Sequence, residues 1–162
     1  MGADLYIQTI TNAAEEKYRL LFLAAVAKRD AFPGDSAEAK QAQKEVDDYY
    51  KAMFPEDGYY RDSYNATSVL WRLGLSWWQD VGPLLDNDYL MQPSKIRDFL
   101  GMIRDAPFTP ATKEELLDQY AVVDDDENSV EGWNEFFQSE RDRLIKFLEH
   151  AIELDESIYC SI

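Results

Sequence analysis

Apolar residues recur at helical spacing along nearly the whole chain, and only the first stretch breaks that period. Between Asp4 and Ile10, Leu5, Ile7 and Thr9 alternate with Tyr6 and Gln8 in the two-residue period of an extended segment. Alone it cannot form a sheet, so it is expected as an arm packed on helices. Thr11 or Asn12 then caps a helix to about Arg29, with Glu15 and Glu16 favourably placed in its first turn. Its middle, Leu20 to Ala27, is apolar all round, as in a helix buried on several sides. The run from Phe32 to Asp35, holding Pro33 and Gly34, ends it.

A second helix is expected from Ser36 to about Met53, with Ala39, Ala42, Val46, Tyr49, Tyr50 and Met53 on one stripe and Lys40, Lys44, Glu45 and Asp48 in water. After a turn at Pro55 to Gly58, the spacing predicts a third helix over Ser63 to Asp80. It carries Ala66, Leu70, Leu73 and Trp77 on one face and Trp71, Leu75 and Trp78 on another, and Gly82-Pro83 closes it. Pro93 and Ser94 open a fourth helix through Ile96, Phe99, Leu100 and Ile103. Thr112 and Glu115 form a capping box for a fifth, through Leu116, Leu117 and Tyr120. The last helix begins near Ser129, runs to Leu154 or beyond, and aligns Trp133, Phe137, Leu144, Leu148 and Ala151. The expected fold is all-α: residues 1–162 as a single domain of about six helices with a short extended N-terminal arm. Leu21, Phe22, Leu70, Trp71, Leu73, Trp77, Phe99, Leu144 and Leu148 are its expected core.

Composition changes the picture through charge. The 162 residues carry a formal net charge of −16, which alone would suggest disorder, yet 46% are hydrophobic and 14% aromatic. The expectation is a folded domain with a strongly negative surface, one that repels nucleic acid and anionic membranes and attracts basic protein surfaces. A single cysteine, Cys160, excludes an intrachain disulfide and suits a reducing compartment. No secretory leader is expected, since the apolar start lacks basic residues and is broken by Asp4 and Gln8. Gly2 would need a Ser or Thr where Tyr6 stands to be a myristoylation site. A cytoplasmic protein without a membrane span is the expectation.

Asp124, Asp126, Asn128 and Glu135 fall at positions one, three, five and twelve of a stretch that resembles an EF-hand calcium loop. The sixth position, where glycine makes the turn, is Ser129, the eighth is Glu131, and no second loop pairs with it. The segment therefore reads as an acidic linker with Asn128 and Glu131 boxing the last helix, and no metal site is expected. One histidine, His150, and one cysteine leave no ordinary zinc site. Asn65-Ala66-Thr67 is a chance sequon. The chain has no glycine-rich phosphate loop and no nucleophile–base pair, so no catalytic residue, cofactor or enzymatic activity is expected.

Two groups of residues are expected to bind a partner. One is acidic: Asp86, Asp88, Asp124, Asp125, Asp126, Glu127 and Glu131. The other is the Tyr-rich turn at 58–64, with Tyr59, Tyr60, Arg61 and Tyr64, residue types that dominate interface hot spots. The MGADLY start and the Tyr59-Tyr60-Arg61-Asp62-Ser63 stretch leading to Trp71 are similar to a loose class of small bacterial and phage proteins. That resemblance favours a phage or mobile-element origin and brings no function with it. The expected function is a non-enzymatic acidic inhibitor of a nucleic-acid-handling protein, such as a restriction or CRISPR nuclease, acting by nucleic-acid charge mimicry. The alternative is an adaptor or immunity-type module anchored by the Tyr-rich turn. Either way the partner is a basic protein surface, with no direct nucleic acid and no membrane.

Overall fold

Ala3, Leu5 and Ile7 are buried while Asp4 and Tyr6 between them are half-buried, so the alternation expected from Asp4 to Ile10 is that of a strand as far as Tyr6. From Gln8 the chain is already helix, ahead of the start expected at Thr11 or Asn12. The computed structural model describes residues 2–119, 121, 123 and 128–162. In chain order its elements are β1 (Gly2–Tyr6), α1 (Gln8–Asp30), α2 (Ala37–Met53), β2 (Tyr59–Ser63) and α3 (Val69–Arg72). A π-helical turn (Trp77–Val81) and a 3-10 turn (Gly82–Leu84) follow. Then come β3 (Leu90–Met91), α4 (Pro93–Asp105), α5 (Lys113–Asp118), α6 (Val130–Leu154) and β4 (Ile158–Ser161).

The fold is mostly helical, at 62%, but the all-α expectation fails: four strands form a sheet in the order β2-β1-β4-β3. Both β1 and β3 pair antiparallel with β4, setting Leu5 opposite Cys160, Tyr6 opposite Tyr159 and Met91 opposite Ile158. The expected arm is thus an inner strand. Its neighbours lie far along the chain, and each is too short to declare itself. Ile158 and Cys160 are buried on either side of half-buried Tyr159, the same alternation at the other end of the chain. Cys160 is fully buried, and that burial pushes its thiol up to about 12.

Contacts divide the chain into two compact units, Met1–Tyr6 with Tyr60–Ile162, and Ile7–Tyr59. The second is a helical hairpin. Ser36 caps α2 by accepting from the Ala39 amide at 3.0 Å, and Ala39, Ala42, Val46 and Met53 are buried as their spacing predicts. Lys28 pairs with Glu45 at 2.8 Å, and the rings of Phe22 and Tyr50 meet at 6.1 Å, tying α1 to α2. Here the sequence expectation for α1 is wrong. Leu21 and Leu23 are exposed, and Leu20 is 77% exposed. Within its unit α1 has one neighbour, α2, so its apolar circumference is covered on one side only.

In the larger unit α4 and α6 pack together, burying Ile96, Phe99 and Ile103 with Leu144, Phe147, Leu148 and Ala151. The Arg141 guanidinium donates to the carbonyls of Ile103, Arg104 and Ala106, satisfying the C-terminal end of α4. Arg72 is only 1% exposed. It donates from both terminal nitrogens to Glu115 at 3.2 and 3.3 Å and lies over the Phe137 ring. That pair holds the Glu115 carboxyl below its ordinary range, the Arg72 hydrogen bond being the largest cause. The capping box of α5 forms as expected, with Glu115 also accepting from the Thr112 amide. No helix among the described residues is long and apolar enough to cross a membrane.

Candidate functional site

The segment expected as one helix from Ser63 to Asp80 holds two short helical pieces, Val69–Arg72 and Trp77–Val81, and the break between them builds a pocket. Ser68 caps α3 by accepting from the Trp71 amide at 3.3 Å. One turn later Gly74 takes a left-handed backbone, φ +66°, which a Cβ would strain. The Leu75 amide donates to Leu70 and the Gly74 amide to Trp71, the paired bonds of a Schellman motif. Ser76 then starts afresh. Its hydroxyl accepts from the Gln79 amide at 3.3 Å, its carbonyl accepts from Asp80 and Val81, and its own amide donates to Asp80 Oδ2 at 2.7 Å.

This tight turn sends adjacent tryptophans to opposite sides. Trp77 goes inward, edge-on to Phe99 at 5.9 Å, and its Nε1–H donates to Asp62 Oδ2 at 3.0 Å. Asp62, buried on β2, also accepts from the Ser68 hydroxyl at 2.6 Å and from the amides of Val69 and Leu70 at 2.9 and 3.3 Å. Burial raises its carboxyl above the ordinary value, and those four donors oppose the rise. Trp78 goes outward, 60% exposed, with its ring 5.6 Å from that of Tyr64. Trp71, expected in the core, is 54% exposed as well, because α3 ends one residue after it.

Between them lies a cavity of about 410 Å³, lined by Tyr64, Trp71, Gly74, Trp78, Gln79 and Asp80 together with Ser68, Leu75, Ser76 and Trp77. That volume is in the range of ligand pockets, and an aromatic wall with few polar groups is their usual make-up. Trp71 and Trp78 were legible as tryptophans but not as surface. The signals that could have placed them are Gly74, fit to end a helix, and Ser76 followed three residues on by Gln79, a helix start.

Among the described residues, those expected to bind a partner differ in exposure. Tyr60 is fully buried, under the Arg143 guanidinium at 4.5 Å, so it offers no contact surface. Burial also raises its phenol pKa well above the ordinary tyrosine value. Tyr59 is half-buried, its ring 5.1 Å from that of Phe54. Arg61 is exposed, pairs with Asp4 at 3.7 Å, and lines a second cavity of about 540 Å³ shared with Phe136, Glu140 and Arg143. Tyr64 alone reaches the aromatic pocket.

Among the acids, Asp86 is exposed but folds its own loop. It accepts from the amides of Asp88 and Leu90 and from Gln92 Nε2, and the Gln92 bond is the largest cause of its lowered pKa. Asp88 is exposed on the same loop, and Glu131 is exposed in the first turn of α6. Asp124, Asp125, Asp126 and Glu127 lie outside the described residues. Ser129, not Asn128, caps α6, accepting from the Gly132 amide at 3.0 Å. The helix therefore begins at the seventh position of the EF-hand-like stretch, and the Val130 carbonyl there accepts from Asn134 Nδ2. Glu135 is an exposed helical residue.

Compared with protein-family models, curated proteins and solved structures, the chain matches none.

Proposed function

We propose that the chain is a non-enzymatic acidic protein that occupies the basic cleft of a nucleic-acid-handling protein and displaces that protein's nucleic acid. The observation that supports this reading is where the surplus charge stands. Asp47, Asp48, Glu56, Asp57, Asp86, Asp88 and Glu131 are all exposed, and among the described residues none of them is in an ion pair. Meanwhile Arg19, Lys28, Arg29, Arg61, Arg72, Lys95, Arg104 and Arg143 are each engaged by a carboxylate. The formal net charge is −16, and half of the 16 basic residues are already engaged by carboxylates. A cleft built for duplex DNA, with about one charge per 1.7 Å, is complementary to such a surface.

The adaptor reading survives in altered form. Its anchor cannot be Tyr60, which is buried, but Trp71 and Trp78 supply the exposed aromatic surface that it needs.

The test is retention of the protein on immobilised restriction and CRISPR nucleases across a salt series. Retention at low salt that fades steeply as salt rises, and that weakens when Asp47, Asp48, Glu56 and Asp57 are neutralised together, is the expected result. Retention by none of them at low salt, or retention indifferent to both salt and the neutralised group, contradicts it.

A further inference from the structure

We propose that the cavity between Trp71, Trp78 and Tyr64 is the anchor site for an arginine side chain presented by the basic partner. The inference deepens the reading above and rests on it for the partner's charge. The pocket supplies its own argument for the chemistry of the occupant.

Trp78 and Tyr64 meet at 5.6 Å between ring centroids with planes tilted by 37°, and Trp71 closes the cavity from α3. Aromatic faces carry negative charge density and attract cations, tryptophan most strongly. The charge of the lining agrees: it includes Asp80 and holds no Lys, Arg or His. Asp80 is half-buried, and its Oδ2 already holds the Ser76 amide, so the carboxylate is fixed in place at the pocket. Ser76 and Gln79 add polar groups beside it.

Guanidinium fits this set better than ammonium or a neutral ring. It is planar, so it stacks on an indole, it presents N–H donors in its plane to a carboxylate, and it is more weakly hydrated than lysine. The cavity, about 410 Å³, also has room for the aliphatic stem. The backbone points the same way. A left-handed Gly74 and a π-turn at Trp77–Val81 are costly ways to leave two large indoles in water, and π-turns concentrate at functional sites.

Tryptophan fluorescence titrations with a hexa-arginine peptide and with its uncharged hexa-citrulline counterpart test the site, near physiological salt, where surface attraction is screened beyond about 8 Å. Hexa-arginine is expected to bind and hexa-citrulline to bind at least about tenfold more weakly. Trp78→Ala, whose circular dichroism and melting temperature should match the wild type, is expected to weaken hexa-arginine at least about tenfold. Asp80→Asn keeps an oxygen for the Ser76 amide and should weaken it several-fold.

Hexa-arginine bound equally by wild type and Trp78→Ala overturns the anchor site while leaving the charge-driven reading standing. Equal binding of hexa-citrulline, or of a neutral oligosaccharide such as maltohexaose, overturns the choice of a cation. Failure of hexa-arginine to bind at any salt concentration overturns both readings.

Discussion

Trp77 Nε1 donates to Asp62 Oδ2 at 3.0 Å, and through that one carboxylate β2, the start of α3 and the π-turn are held together. Asp62 accepts from four donors, and most of them are buried with it. Asp62→Ala should strand them, at about 1–3 kcal/mol for each buried donor left unmet. Denaturant unfolding should show a loss of several kcal/mol for Asp62→Ala, and less for Trp77→Phe, which removes one donor and keeps most of the burial. Trp78 emission should shift in Asp62→Ala, because the turn that aims it outward loses its support. A melting curve unchanged by Asp62→Ala would mean that the carboxylate does not organise this region.

Alkaline pH should unfold the protein through two buried groups. Burial raises both the Cys160 thiol, to about 12, and the Tyr60 phenol. Both ionise at lower pH in the unfolded chain than in the folded one. Their contribution is therefore fully present below about pH 9 and is lost as pH rises toward 12. Melting temperature against pH should fall across that window, and less steeply in Cys160→Ala and in Tyr60→Phe. The same burial predicts that Cys160 resists alkylation at neutral pH until denaturant is added.

Asp86 should act in the acid range with the opposite sign. Its carboxyl titrates below the ordinary value because Gln92 and backbone amides donate to the ionised form. Its contribution is present above the unfolded carboxyl pKa and is lost as pH falls through the folded one. Asp86→Asn should flatten the acid limb of the stability curve and loosen the loop before β3. An unchanged acid limb in Asp86→Asn would remove the proposed role.

Leucine exposure on α1 gives a sharp contrast with the core. Leu20→Lys should stay within about 0.5 kcal/mol of the wild type, as surface changes do. Phe99→Ala, at a fully buried ring, should cost about 3–5 kcal/mol in urea unfolding. A large loss from Leu20→Lys would show that this face of α1 is covered in solution.

What could be read from the sequence followed from how local the signals are. α2, α4, α6 and the capping box of α5 were legible because one helix face, or four neighbouring residues, carries each signal. The sheet was not, since β1 finds its partner 153 or more residues away, in the register Asp4 to Ser161 and Tyr6 to Tyr159, and pairing between distant segments leaves no local pattern. The pocket was missed for a different reason. Trp71, Leu75 and Trp78 keep helical spacing across Gly74, so the periodicity runs through a helix break that only the glycine and Ser76 announce. Tyr60 was misplaced because composition near a turn says which residues are suited to contact but not which way they face.

Direct competition for a basic cleft is the measurement closest to the central claim. A labelled DNA duplex is bound to whichever nuclease retains the protein, and its anisotropy is followed as the protein is added. The account predicts that the duplex is released in proportion to the protein bound, and that both affinities fall with salt. It also predicts that neutralising Asp47, Asp48, Glu56 and Asp57 together delays release without lowering the melting temperature. A ternary complex, in which the protein binds while the duplex stays in place, would contradict it.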